Sequence, residues 1–166
     1  MKLIYDNSTY NSTYNFNENI NNWDISKVTN IFIKMFESCK NFNQPLDKWD
    51  VSKVINMKNM FCNCNKFNQS LNKWNINAVT NTSFMFQNCT RFNHSLNNWN
   101  VSNVTNMSHM FHNCKKFNEP LDKWNVNDTT NMSFMFYNYK RFNKPLKHKW
   151  KIIERCGFVR ERGPLG

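Results

Sequence analysis

The chain has 166 residues, 33 of them Asn, and a formal net charge of +11. That length is typical of one domain, and no stretch approaches the roughly 18 apolar residues of a membrane-spanning helix. The amino terminus also lacks the apolar run of about seven or more residues that marks a signal peptide, so we expect a chain that stays intracellular.

A repeat of about 25 residues dominates the sequence. Four apolar residue types recur with this period. They are Trp23, Trp49, Trp74, Trp99 and Trp124; Cys39, Cys64, Cys89 and Cys114; Phe42, Phe67, Phe92, Phe117 and Phe142; and Leu46, Leu71, Leu96, Leu121 and Leu146. The first unit carries one extra residue. In the last unit Tyr139 stands at the Cys position and Trp150 comes one place late.

One unit predicts a strand followed by a short helix. Trp99 and Val101 alternate with polar residues, which is the period-two pattern of a half-buried strand. The segment 107–114 has apolar residues at i, i+3, i+4 and i+7, the spacing of one helix face, and Thr105 stands where an N-cap would. The sequence therefore predicts an α/β repeat solenoid. It would be a stack of about five coils, each with a short parallel strand plus a short helix or 3₁₀ turn.

Stacked coils would place equivalent residues on one another, Trp on Trp and Phe on Phe. An Asn follows each repeated Phe, and its side-chain amide both donates and accepts hydrogen bonds. We expect these residues to form an inward-facing ladder between turns. They are Asn43, Asn68, Asn93, Asn118 and Asn143.

Three segments follow from this pattern. Residues 1–20 are an amino-terminal lead or cap, residues 21–146 the five-unit solenoid, and residues 147–166 a basic tail or cap. Residues 140–166 hold nine Lys or Arg against two Glu, so this end is the candidate for binding an acidic partner. The tail is either a carboxy-terminal cap of the last coil or an unrelated extension.

The unit "FNQPLDKWDVSKVINMKNMFCNC", residues 42–64, resembles the repeats of a domain family of unknown function first noted in mycoplasma surface proteins. It is also similar to the repeats of BspA-like proteins and of proteins from large DNA viruses and protists. The resemblance runs from about Trp23 to Leu146 and implies a distant kinship with leucine-rich repeats. It also implies an adhesive or interaction surface with no catalytic site. The sequence lacks the export signal and lipobox of the mycoplasmal surface versions, so we expect an intracellular or virus-associated array rather than surface display.

The residues that could carry chemistry favour a non-enzymatic protein. The four periodic cysteines are predicted to be reduced core residues, with Cys62 pointing outward. His109 and His112 lie three apart but lack the further ligands of a zinc site. No Gly-rich phosphate loop or nucleophile–base motif is present, so we expect no enzyme activity, metal or cofactor.

A polar face beside the tryptophans is the remaining candidate site. We predict that it binds a protein partner, since repeat arrays often bind extended partners along one face; a merely solvated surface is the alternative. The predicted binding residues are Lys48, Asp50, Ser52, Lys73, Asn75, Asn77, Asn98, Asn100, Ser102, Lys123, Asn125 and Asn127. The second hypothesis, which we rank lower, is attachment to nucleic acid or an anionic surface through the basic tail. A degenerate repeat copy with little function is a third.

Overall fold

The computed structural model describes residues 15–29 and 32–138. Within these ranges Asn15 is the one helical residue, and the rest of the chain runs in turns and irregular segments. The β-pairing there is confined to one-residue parallel bridges, which join Asn56 to Asn81, Asn81 to Asn106, and Asn106 to Asn131. The α/β solenoid with leucine-rich-repeat-like coils is therefore a wrong prediction, because the described repeats contain neither its strands nor its helices.

Turns at 32–38, 58–63, 83–88, 108–113 and 133–138 replace the predicted helices. A continuous helix needs φ near −63° at every residue, whereas two residues in each of these turns have positive φ. The first set is Lys34, Asn59, Phe84, His109 and Phe134, and the second is Ser38, Asn63, Asn88, Asn113 and Asn138, with φ between 55° and 65°. The chain therefore makes two successive tight turns instead of two turns of α-helix.

Alternate amides of a turn segment bind different partners. In the second repeat, Met57, Asn59, Phe61 and Asn63 donate their backbone N–H to carbonyls 24 residues ahead, at 2.8 to 3.0 Å. The amides of Met60, Cys62 and Cys64 instead donate to carbonyls three residues back, at 2.9 to 3.2 Å. This alternation leaves no need for a helix, because each repeat satisfies its backbone through its own turns and through its neighbour.

The predicted strand at Trp99 and Val101 is also a series of turns. The amide of Trp99 donates to the Leu96 carbonyl, and the amide of Val104 donates to the Val101 carbonyl, each at 3.0 Å. The side chains still alternate, with Val101 buried and Asn100 exposed. Thr105 is not an N-cap, since its N–H and its hydroxyl both donate to the Thr80 carbonyl of the preceding repeat, at 2.8 and 3.2 Å.

Two files of phenylalanine rings form the centre of the core. Rings of neighbouring repeats stack with centroids 5.5 to 6.0 Å apart and planes within 12° of parallel. Within a repeat the two rings are closer, at 4.1 to 4.4 Å. The files are Phe36, Phe61, Phe86, Phe111 and Phe136, and Phe42, Phe67, Phe92 and Phe117, all fully buried. The predicted stacking of Phe on Phe is thus confirmed, and each buried ring contributes about 1.5–3 kcal/mol.

The tryptophans tie one repeat to the one before it. Four indoles donate Nε1–H to a backbone carbonyl of the preceding repeat, at 2.8 to 3.1 Å. The donors are Trp49, Trp74, Trp99 and Trp124, and the acceptors are the carbonyls of Ile20, Leu46, Leu71 and Leu96. Each bond satisfies a buried indole N–H that would otherwise be costly to bury, and the carbonyl accepts this bond in addition to one from a backbone amide of its own repeat.

The Asn residues after the repeated Phe do form a ladder between repeats. The backbone N–H of Asn68, Asn93 and Asn118 donates to the Oδ1 of the equivalent Asn one repeat back, at 2.8 to 3.0 Å. The ladder lies at the surface, however, with Asn68 and Asn93 exposed. Its predicted inward direction is wrong, and Asn143 lies outside the described residues.

Candidate functional site

The twelve predicted binding residues, which we call the Lys–Asn face, are positioned by turns on either side of the tryptophans. Ten are exposed, and Ser52 and Ser102 are half-buried. Because the described residues contain no strand here, the predicted strand-side surface is a row of loops. Hydrogen bonds from the buried tryptophans nevertheless join each repeat to the one before it. The equivalent residues of the face therefore follow one another along the stack.

A side-chain turn recurs on this face. The Oδ1 of Asp50, Asn75 and Asn100 accepts the backbone N–H two residues on, at 3.0 to 3.2 Å. Such turns are the usual reason for Asn and Asp in tight loops. At Asp50 the hydrogen bonds from the Ser52 side chain and backbone lower the pKa of the carboxyl, and Lys53 adds to the effect. Asp50 is therefore ionised near neutral pH.

Hydrogen bonds between repeats also fix the backbone of the Lys–Asn face. The side-chain Nδ2 of Asn127 donates to the Ser102 carbonyl at 2.7 Å, and Nδ2 of Asn103 donates to the Asn77 carbonyl at 2.8 Å. At the first repeat, Nζ of Lys48 donates to Oδ1 of Asn22 at 2.8 Å. A partner would meet a surface whose turns are held from repeat to repeat.

A second surface departs from the repeat pattern, and the sequence reasoning missed it. We call it the aromatic flank: Phe84, His109, His112, Phe134 and Tyr137. The ring of His109 lies between Phe84, at a centroid distance of 4.6 Å, and Phe134, at 5.1 Å. Phe134 is 49% exposed and Tyr137 42% exposed. The signal that could have found it is the appearance of rings where the second repeat has Asn59 and Cys62.

The flank holds large rings at a left-handed backbone position. The φ angles of Phe84 and Phe134 are 60° and 55°. Asn is frequent in this conformation, but a bulky residue there is an outlier that costs on the order of 1–3 kcal/mol. Asn59, with φ of 59°, occupies the same place in the second repeat, so the rings are not required by the backbone.

Two imidazoles meet within the aromatic flank. The Nδ1 atoms of His109 and His112 are 3.1 Å apart, so one ring donates N–H and the other accepts. Burial lowers the pKa of both residues below the ordinary value of 6.5, and His109 lowers that of His112 further. The pair is therefore neutral at pH 7.

The five cysteines within the described residues are buried and free. Cys39, Cys64, Cys89 and Cys114 lie in the core as predicted, and the Sγ atoms of the last three contact backbone carbonyls of the preceding repeat at 2.8 to 3.0 Å. Cys62 does not point outward as predicted, since it is only 5% exposed. Burial raises the pKa of Cys39 to about 12 and that of Cys62 to about 11, which makes both poor nucleophiles.

Residues 15–29 and 32–138 contain neither a cluster of metal-binding side chains nor a helix that could span a membrane. No group of three or more His, Cys, Asp or Glu side chains there is placed to hold a metal ion. No helix there has the length and apolar character to cross a bilayer. The basic tail, residues 147–166, lies outside the described residues.

The geometry defines a class of protein: a stack of about 25-residue repeats built from turns, with ring files inside and repeated polar loops outside. A protein-family model described as "Mycoplasma protein of unknown function, DUF285" matches residues 5–99 and 71–156. The chain belongs to this family of mycoplasma type. Comparisons with curated proteins and with solved structures gave no match.

Proposed function

We propose that this protein is a non-enzymatic repeat scaffold that binds a protein partner through the Lys–Asn face. The observation that supports the proposal is the recurrence of exposed polar side chains of similar type on turns bonded from repeat to repeat. An extended partner with its own periodic contacts would then meet several equivalent sites. Multiple weak contacts of this kind add up to useful affinity when the geometry allows simultaneous engagement.

The charged members of the face suggest a partner with acidic groups. Lys48, Lys73 and Lys123 are exposed and stand directly before a buried Trp. Backbone amides anchor two of these turns to the preceding repeat: the N–H of Lys48 donates to Oδ1 of Asn21 at 3.2 Å, and the N–H of Lys123 donates to Oδ1 of Asn97 at 3.0 Å. Charge complementarity of this type governs specificity and association rate more than affinity.

The test is charge reversal on the face. The triple variant K48E/K73E/K123E should lose partners that wild-type protein captures from cells expressing it, measured by quantitative mass spectrometry and then with the purified partner. The matched control is K40E/K58E/K66E, which changes three exposed lysines that belong to neither the Lys–Asn face nor the aromatic flank and alters net charge equally. Undiminished capture by the first variant, or equal loss in both, would count against the proposal.

The alternative function is attachment to nucleic acid or an anionic surface through the tail. Nine Lys or Arg against two Glu in residues 140–166 favour it. The variant K147Q/K149Q/K151Q removes three of these charges and should weaken such binding while leaving capture through the Lys–Asn face intact. The kinship with BspA-like proteins stays a proposal from the "FN" and Trp motifs, since the family match supports only the mycoplasma-type family.

A further inference from the structure

The aromatic flank is a departure from the repeat that the fold does not demand. At the positive-φ position, Phe84, His109 and Phe134 replace Asn59 of the second repeat, although Asn suits that backbone better. Strained residues of this kind occur preferentially at functional sites. Two of the five side chains, Phe134 and Tyr137, remain exposed, so the rings do not simply extend the core.

Two of the three turns that carry the flank, 83–88 and 108–113, lie in a segment without acidic residues. Between Asp50 and Glu119 the sequence contains seven Lys or Arg and no Asp or Glu. Three of these, Arg91, Lys115 and Lys116, directly follow the turns that carry the flank, and all three are exposed. The surface is therefore suited to a polyanion rather than to a basic partner.

We propose that the aromatic flank binds single-stranded nucleic acid. Bases stack on the exposed rings of Phe134 and Tyr137, and Arg91, Lys115 and Lys116 contact phosphates. Rings combined with basic side chains along a surface are the usual means of binding single strands without sequence preference. The site uses different residues from the Lys–Asn face and from the basic tail.

The ring geometry indicates where a base would lie. Phe84 and His109 are nearly parallel, at 7°, and their facing surfaces cover one another. Tyr137 is inclined by 74° to Phe134 and by 57° to His112, so neither neighbour stacks flat on it. Stacking is therefore expected at Tyr137 and the exposed part of Phe134, while Phe84 and His109 support them from behind.

The test uses full-length protein and fluorescence anisotropy of a labelled oligothymidylate of about 15 nucleotides at about 50 mM salt. The variant F134N/Y137Q places at these positions the residues found at Asn59 and Gln87. It should weaken binding roughly tenfold or more with an unchanged or higher melting temperature. The control I55T removes an exposed apolar residue away from the flank, 47% exposed, in favour of the Thr found at Thr80 and Thr105, and should bind as wild type does.

Further measurements distinguish stacking on bases from contacts with phosphates, and binding at the aromatic flank from binding at the tail. An abasic strand of equal length should bind wild-type protein more weakly, a comparison that needs no variant to fold. The variant R91Q/K115Q/K116Q should reduce the slope of log affinity against log salt by about 2. No binding by wild-type protein up to about 100 µM overturns the proposal. Equal binding of the abasic strand, or loss in K147Q/K149Q/K151Q with F134N/Y137Q unaffected, overturns it as well.

Discussion

Asn88 donates its side-chain Nδ2–H to the Oδ1 of Asn63 at 2.7 Å. Its own Oδ1 accepts Nδ2–H from Asn113 at 2.8 Å, so the amides run in one direction along the stack. All three residues have positive φ. One residue type thus satisfies two requirements at once: it tolerates the left-handed turn, and it bonds to its copies in the neighbouring repeats.

These two requirements can be separated by substitution. Replacing Asn88 with Ala removes two amide hydrogen bonds, worth about 1 kcal/mol each, and adds a left-handed Ala at about 1–2 kcal/mol. N88A should therefore lower the free energy of unfolding by about 3–4 kcal/mol, and N88G by about 1 kcal/mol less. Urea unfolding measures both. If N88G proved as destabilising as N88A, the backbone argument would fail.

The ring files should make single core substitutions costly. Phe86 is fully buried and stacks on Phe61, Phe92 and Phe111. F86A should lower the free energy of unfolding by about 3–5 kcal/mol, as large-to-small changes at well-packed aromatic sites do. F86L should cost less because it leaves a smaller cavity. A loss below about 1 kcal/mol for F86A in denaturant titration would refute the packing described above.

The imidazole pair predicts a loss of stability in mild acid. Because burial lowers the pKa of His109 and His112 below 6.5 in the folded chain, the unfolded chain binds more protons between 6.5 and the lowered values. The free energy of unfolding therefore falls as the pH decreases from 6.5 through the lowered pKa values. Above pH 6.5 this loss is absent. Melting temperatures at about pH 7.5 and about pH 5.5 measure the effect.

The matched variant for this titration is H109N/H112Q, which introduces the residues found at Asn59 and Gln87. It should show a smaller change in melting temperature between the two pH values, since the two proteins differ only in this pair. An identical pH dependence in variant and wild type would mean that the pair contributes nothing.

The five described cysteines should resist thiol reagents in the folded protein. They are buried and free, and burial raises their pKa, to about 12 at Cys39 and about 11 at Cys62. Because the sixth, Cys156, lies outside the described residues, the measurement uses C156S. Its folded form should react slowly with Ellman's reagent at about pH 8, and all five thiols should react in denaturant. Rapid labelling of folded C156S would contradict the burial.

The sequence indicated which residues are buried far better than how the backbone runs. Phe111, Cys114 and Phe117 are in the core as their period predicted. The spacing i, i+3, i+4 and i+7 fits one helix face, but two successive turns with a left-handed residue in each produce the same inward-facing set. Asn113, four residues after His109, was a usable signal, because Asn is enriched at positive φ.

The two candidate surfaces also differ in how far the sequence predicts them. Exposure of Lys73, Asn75 and Asn100 follows from their alternation with buried residues, so the Lys–Asn face could be foreseen, although the turns that carry it could not. The aromatic flank was missed because Phe84 and Phe134 do not belong to any of the periodic columns. Phe84 and Phe134 are informative because they stand where the second repeat has Asn59. A pattern of recurring residues does not reveal such a replacement.

The amides of one turn segment and the carbonyls of the next meet 24 residues apart, and the same offset recurs wherever two described repeats adjoin. Each repeat therefore presents to the next repeat the same hydrogen-bonding groups that the preceding repeat presents to it. An in-frame duplication of 25 residues, such as 82–106, would form the same backbone hydrogen bonds with the repeats before and after it. The array can therefore gain a repeat without changes in the other repeats. Exposed residues can also differ from repeat to repeat as long as the hydrogen bonds between repeats are kept.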